Sequence, residues 1–286
     1  MSDASPYGVQ SMVDPLRRVL IRRPVTEGDF AAADWREPDP AKLTAEHEAF
    51  GELLESLGCE VHIAAPLAGL VDSVYVCDPV WVCGQGAIVL QSAKPQRVGE
   101  GEGMIADLEA AGVPIAGRLT GSATADGGDM VWLDNETLAV ARGYRTNAEA
   151  HRQLDEILAA EGARTMRFDL PHDRGAEHVL HLMSFISPVT RDLAVVFEPL
   201  APVTLIQELQ ERGIGVIPLD EDEYWTMGCN ILATAPGVVV VLDGNPKIRR
   251  AMEAKGIEVH AYQGGDISLK GDGGPTCLTR ELLRQA

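Results

Sequence analysis

Apolar and polar positions along this chain fall into blocks that recur five times. Each block has a short run rich in β-branched residues, a polar turn, a stretch with helical spacing, a glycine and a second apolar run. The plainest copy reads Val238-Val239-Val240-Val241-Leu242, then Gly244-Asn245-Pro246, a helical stretch to Lys255-Gly256, and Ile257-Glu258-Val259-His260. The others open at Val19-Leu20-Ile21, Ala87-Ile88-Val89-Leu90, Leu138-Ala139-Val140-Ala141 and Leu193-Ala194-Val195-Val196-Phe197. In the first copy Phe50, Leu53, Leu54 and Leu57 return at the three-to-four-residue spacing of one helix face, ahead of Gly58 and an apolar run over 59–63. Proline just inside a helix and glycine just beyond it, as at Pro246 and Gly256, mark its ends.

A unit recurring about every 50 residues buries its apolar faces only against its neighbours, so a row of such units needs end caps or closure into a ring. The pattern predicts an α/β fold, a five-bladed pseudo-symmetric α/β propeller of ββαβ-type repeats. An open doubly wound sheet accommodates nearly the same order of elements. No linker or low-complexity stretch interrupts the repeats, so a single domain over residues 1–286 is expected. The connector Asp72-Ser73-Val74-Tyr75-Val76-Cys77-Asp78-Pro79-Val80 alternates apolar and polar residues and reads as a strand.

Charge narrows the partners. The 286 residues carry 43 Asp and Glu against 24 Lys and Arg, a formal charge of -19, which argues against nucleic acid or an anionic membrane surface and suits a cationic small molecule. The start MSDASPYGVQ is neither basic nor apolar, and no run is long enough to span a bilayer, so a cytoplasmic protein is expected. Its five cysteines (Cys59, Cys77, Cys83, Cys229, Cys277) show no close pair at metal-ligand spacing.

Several connectors are richer in reactive residues than a loop needs. Gly273-Gly274-Pro275-Thr276-Cys277 presents a thiol after a glycine pair, either a nucleophile or a buried cysteine following a turn. Asp78 ahead of Pro79 is either a turn cap or a carboxylate able to hold a planar cation through paired hydrogen bonds. Asp126-Gly127-Gly128-Asp129 reads as a hairpin turn, which accounts for the glycines but not for the second carboxylate. His181, in an apolar run, is either a core histidine with its ring nitrogens satisfied or a functional one whose tautomer an acid such as Asp126 fixes. Arg97 and Arg145, at equivalent turns of two repeats, are either solvated surface arginines or a clamp for a carboxylate. His172, His178 and His181 raise a metal site, but Pro171 breaks any helix there and no standard zinc spacing is completed.

In order, Asp72-Ser73-Val74-Tyr75, Asp78-Pro79, Arg97, Asp126-Gly127-Gly128-Asp129, Arg145-Thr146-Asn147, His181-Leu182 and the Gly273 to Thr279 segment resemble the guanidino-group modifying enzymes. These are the arginine deiminases, dimethylarginine dimethylaminohydrolases and amidinotransferases, which share a five-bladed α/β propeller. Met183 stands where deiminases and amidinotransferases place an aspartate, so Leu180 to Phe185 looks most like the dimethylarginine dimethylaminohydrolases. Cys77 departs from the charged residue usual before Asp78. The resemblance implies a hydrolase acting on arginine or a methylated arginine, with Cys277 as nucleophile, His181 as acid and base oriented by Asp126, and Asp78 on the guanidinium. It further implies Asp72 on the α-amino group, Arg97 and Arg145 on the carboxylate, and Asp129 as site architecture. No metal or organic cofactor is implied, and a homodimer is left open. The alternatives are a deiminase releasing ammonia, an amidinotransferase with an amine acceptor, a metal-dependent hydrolase, and a non-catalytic protein that binds cationic amino acids.

Overall fold

The computed structural model describes residues 5–176 and 180–285. The elements run β1 (Leu16–Arg22), α1 (Pro40–Ser56), β2 (Glu60–Ala64), β3 (Val80–Cys83), β4 (Gly86–Val89), α2 (Glu100–Ala110) and β5 (Ile115–Arg118). Next come β6 (Met130–Trp132), β7 (Thr137–Arg142), α3 (Ala148–Leu158), β8 (Arg164–Asp169), β9 (Ile186–Thr190), β10 (Leu193–Val196), α4 (Val203–Glu211) and β11 (Gly215–Pro218). The remainder is α5 (Glu221–Tyr224), β12 (Leu232–Ala235), β13 (Val238–Leu242), α6 (Pro246–Glu253), β14 (Glu258–Tyr262) and β15 (Arg280–Arg284).

These strands form five separate three-stranded sheets, β3-β4-β5, β6-β7-β8, β9-β10-β11, β12-β13-β14 and β15-β1-β2. Every sheet has the same plan: the first strand pairs antiparallel with the middle one, which pairs parallel with the third across a helix. Parallel neighbours need such a crossover because a tight turn reverses the chain. The fold is therefore the five-bladed α/β propeller, and the open doubly wound sheet is excluded. The fifth blade closes the ring: β15 pairs with β1, and Arg284 N–H donates to Gly8 O at 3.0 Å.

Local chemistry sets the helix starts. Asp39 accepts from the N–H groups of Ala41 and Lys42 ahead of Pro40, and Asn147 accepts from Ala150 N, satisfying donors that the first turn of a helix leaves free. Of the face read from the spacing in α1, Phe50 and Leu54 are buried and Leu53 and Leu57 are half-buried against the same cluster; Leu43 of α1 and Leu154 and Leu158 of α3 are buried as well. No helix of the described residues is long and apolar enough to cross a membrane.

One expectation is corrected. The alternating stretch 72–80 is not a strand until Val80; Val71–Val74 forms a 3-10 turn, with Tyr75 N–H bonded to Asp72 O at 2.8 Å and Ser73 Oγ donating to Leu70 O at 2.6 Å. Residues 71–78 are all buried, and Arg97 Nη2 donates to Tyr75 O at 3.0 Å, so turn and side chain supply the partners a sheet ladder would have given.

Candidate active site

Asp78, Asp126, His181, Asn230 and Cys277 lie two to five residues ahead of β3, β6, β9, β12 and β15, the first strands of the five blades. In a ring, equivalent entry segments converge. Asp72, Asp78, Lys94, Arg97, Arg145, His181, Asn230 and Cys277 line one cavity of about 500 Å³. Asp126 and Asp129 are fully buried beside it. A second cavity of about 440 Å³, lined by Ser11, Trp132, Asp134 and Arg191 among others, contains neither cysteine nor histidine.

The acidic wall is held by close backbone approach. Asp78 Oδ1 accepts from Gly128 N–H at 2.8 Å, and its Oδ2 pairs with Arg97 Nη1. A Cβ at Gly127 would lie 2.1 Å from Cys77 O, and one at Gly128 would lie 2.5 Å from His181 Nδ1 and 3.0 Å from Asp78 Oδ1. Neither glycine has positive φ; Gly127–Asp129 is a 3-10 turn leading into β6 rather than a hairpin loop. These glycines are therefore required by crowding, not by a left-handed backbone.

His181 Nε2 comes within 3.4 Å of Asp126 Oδ2, a charge contact at the long end of hydrogen-bond range. Arg145 Nη1 reaches the same oxygen at 3.1 Å. Asp129 acts through the backbone: its Oδ1 accepts from Leu182 N–H at 3.2 Å and its Oδ2 from Thr146 Oγ1 at 2.6 Å, tying the residue after His181 to the blade before it. Burial disfavours the imidazolium, but Asp78, Asp126 and Asp129 outweigh it and push His181 up to about 9. Burial likewise opposes ionisation of Asp126, yet His181, Arg97 and Arg145 hold it below the usual carboxylate range. Asp129, whose burial is less well compensated, rises to about 6.

Around the thiol the surroundings are neutral. Asn230 Nδ2 donates to Cys277 Sγ at 3.2 Å, while Asn230 Oδ1 accepts from Thr276 N–H at 3.0 Å and Thr276 Oγ1 at 2.7 Å. Gly273 and Gly274 also lack positive φ; Cβ atoms there would come within 2.4 Å of the Tyr75 ring and 2.5 Å of the Asn230 side chain. Burial, then the Asp78 carboxylate, push the Cys277 thiol up to about 11.

Two expected ligands are already engaged. Arg97 is buried, donating Nε and Nη2 to Glu100 Oε2 at 2.9 and 2.7 Å besides its pair with Asp78. Asp72 accepts from Trp35 Nε1 at 2.7 Å and from Lys94 Nζ at 2.8 Å. His172 pairs with the Tyr144 hydroxyl at 2.5 Å, His178 lies outside the described residues, and no group of three metal-ligating side chains forms among the described residues.

A family model described as arginine deiminase matches residues 198–284, the span holding Asn230 and Cys277. An arginine deiminase of Listeria monocytogenes is 26% identical over 249 residues, 73% of this chain and 60% of that protein, so this chain spans about three fifths of its length. An N(G),N(G)-dimethylarginine dimethylaminohydrolase of Pseudomonas aeruginosa is 24% identical over 243 residues, 85% of this chain and 89% of that protein. A solved structure of the dimethylarginine dimethylaminohydrolase of Pseudomonas aeruginosa, a cysteine-to-serine variant complexed with citrulline, shares the fold with a TM-score of 0.78. Its identity is 22%, covering 94% of this chain and 100% of that one. By these matches the chain is similar to guanidino-group modifying enzymes of the arginine deiminase and dimethylarginine dimethylaminohydrolase kinds.

Asn230 and Lys94 are among the cavity residues that sequence reasoning passed over. Asn230 follows Gly228-Cys229 and looks like an ordinary turn residue; its signal is positional, since it stands two residues before β12 as Asp78 stands two before β3. Lys94 carries no sequence signal beyond its place in the turn that holds Arg97. Cys77 is buried on the cavity wall, its carbonyl accepting from Arg280 Nη1 at 3.1 Å.

Proposed function

We propose that this chain is a hydrolase acting on the guanidinium group of arginine or a methylated arginine through a covalent adduct on Cys277, giving citrulline and an amine. The observation that carries this reading is the convergence of Cys277, His181 and Asp78 on one cavity, with a buried carboxylate behind the histidine. The whole chain works as one catalytic unit, because the strand following Cys277 is the one that closes the ring on β1.

The planar cation lies against Asp78, which Gly128 N–H and Arg97 hold in place. A guanidinium beside the sulfur lowers the free energy of the thiolate relative to the thiol, which burial and the Asp78 carboxylate otherwise keep protonated. The thiolate adds to the central carbon. His181, an imidazolium at neutral pH, gives its proton to the departing nitrogen; the C–N bond breaks, leaving an amidino group on sulfur. Neutral His181 then takes a proton from water, the hydroxide adds to the same carbon, and the C–S bond breaks with its electron pair on sulfur. The scheme routes no step through a metal or organic cofactor.

At the far end of the substrate, Arg145 and Lys94 offer positive charge to a carboxylate, and Asp72 offers negative charge to an amine, shared with Lys94. Arg97 belongs to the scaffold of Asp78 and meets the substrate only through it. The superfamily members this chain resembles, an arginine deiminase and a dimethylarginine dimethylaminohydrolase, support this substrate class.

The test is incubation of the protein and of Cys277→Ser with L-arginine, monomethylarginine and asymmetric dimethylarginine, with products identified by mass spectrometry. Citrulline plus a methylated amine is expected from the wild type and nothing from the variant. Citrulline plus ammonia from arginine moves the chain to the deiminase reaction, which the family model favours. Ornithine formed only with an added amine means amidino transfer, and turnover retained in Cys277→Ser overturns the nucleophile.

A further inference from the structure

Among the described residues, the thiol proposed as nucleophile has no cationic partner at hydrogen-bond distance, and the Asp78 carboxylate opposes the thiolate. The side-chain donor in contact with the sulfur is the amide of Asn230, at 3.2 Å. Its orientation is set by chemistry: Thr276 presents two donors, its N–H and its hydroxyl, to one end of the amide, so that end is the carbonyl oxygen and the NH₂ faces sulfur. Because Thr276 Oγ1 gives its hydrogen to Asn230, it has none left for the thiolate. Gly274 completes the clamp, since a Cβ there would overlap the Asn230 side chain.

We infer that Asn230 is a catalytic residue of this site, a neutral donor to the Cys277 thiolate when it attacks and again when it leaves the tetrahedral intermediate. The inference rests on the reading of Cys277 as nucleophile. An amide suits the position: a lysine or arginine would form a permanent ion pair with the thiolate and compete with the cationic substrate for Asp78, whereas an amide stabilises sulfur without adding charge to a cavity meant for a cation. In the amidino adduct the sulfur is uncharged and the contact weakens, so Asn230 favours the thiolate steps over the resting adduct.

The experiment uses two variants on the intact protein. Asn230→Asp keeps the oxygen that accepts from Thr276 and replaces the donor to sulfur by a charge; Thr276→Val removes a clamp hydroxyl and leaves the donor. The rate of iodoacetamide alkylation at Cys277, followed by peptide mass spectrometry at fixed pH without substrate, reads the thiolate fraction. Asn230→Asp is expected to slow it by about tenfold or more, the loss of one hydrogen bond to a charged group, and Thr276→Val by much less. The same variant lowers kcat with a smaller change in KM. Unchanged alkylation in Asn230→Asp with the fold intact by circular dichroism overturns the inference, as does an equal slowing in Thr276→Val, which marks a purely structural role. Because alkylation needs no turnover, failure of Asn230 is distinct from failure of Cys277, which the Cys277→Ser assay reads separately.

Discussion

The two walls of the cavity are built from opposite materials. On one, Asp78, Asp126, Asp129, Arg97, Glu100, Arg145 and His181 form a buried network in which each charge faces another. On the other, Cys277 sits among an amide, a threonine and glycines. Arg97 between two carboxylates shows the cost of the first wall: burial raises Glu100 to about 7 even with the guanidinium at 2.7 Å. A bound cation therefore meets a wall organised before it arrives and a sulfur still protonated. On the proposed mechanism the contrast locates control: the acid wall holds substrate and proton, and the arrival of substrate charges the thiol.

Breaking the acid wall at its proton carrier has the largest expected effect. On the proposed mechanism His181→Ala removes the acid of the first half-reaction and the base of the second, and it is expected to lower kcat by about 10²–10⁴-fold. Substrate affinity should survive better than turnover, since Asp78 and its scaffold remain. A steady-state assay alongside equilibrium binding separates the two; turnover near wild type removes His181 from the mechanism.

Asp126→Asn weakens the same wall without removing the imidazole. With one carboxylate charge gone, the pKa of His181 should fall from about 9 toward its ordinary value, and the alkaline limb of the kcat profile should move down by about one unit. Stability carries the same signature. His181 has its folded pKa raised above the unfolded 6.5, so its contribution is fully present below pH 6.5 and is lost as pH rises through about 9. Urea unfolding of the wild type across that window should show this decline, and Asp126→Asn should flatten it; identical slopes would separate Asp126 from the titration of His181.

The two walls were unequally legible in sequence. Charged residues at the blade entries, Asp78, Asp126 and His181, are noticeable because loops rarely need them, and the middle and outer strands of the blades announce themselves through β-branched runs such as 238–242. The first strands do not. β6 has three residues, too few for any period to emerge, and β15 carries Arg280, Glu281 and Arg284, a pattern that looks exposed. In the fold those charges are buried: Arg280 stacks on Trp81 with its guanidinium carbon 4.7 Å from the ring centre, and Arg284 pairs with Glu281 at 2.5 Å. The neutral wall is less legible. Its glycine pair marks a turn ahead of the thiol, and what the glycines provide is room for Tyr75 and Asn230, a property of three dimensions that no local spacing encodes.

The smallest expected effect sharpens the comparison at the cavity mouth, where Lys94 brings a mobile positive charge against Asp72. Replacing it by methionine keeps the length of the side chain and removes the ammonium. Two consequences follow, the first confined to a substrate with a carboxylate and the second shared by any substrate with an amine. A substrate carboxylate loses one cationic partner, and Asp72, left with Trp35 Nε1 alone, becomes a stronger acceptor for a substrate cation. Arginine should suffer and its decarboxylated analogue agmatine should gain, so the ratio of their kcat/KM values is expected to move toward agmatine by about tenfold, the worth of one partly solvated charge-assisted contact. Because fold, acid wall and thiol are common to both substrates, the ratio cancels any general loss of activity. A ratio unmoved by Lys94→Met places the substrate tail elsewhere in the cavity, against Arg145, Arg174 or Arg36, and leaves Lys94 as a clamp that holds Asp72 and the carbonyl of Ala33 together.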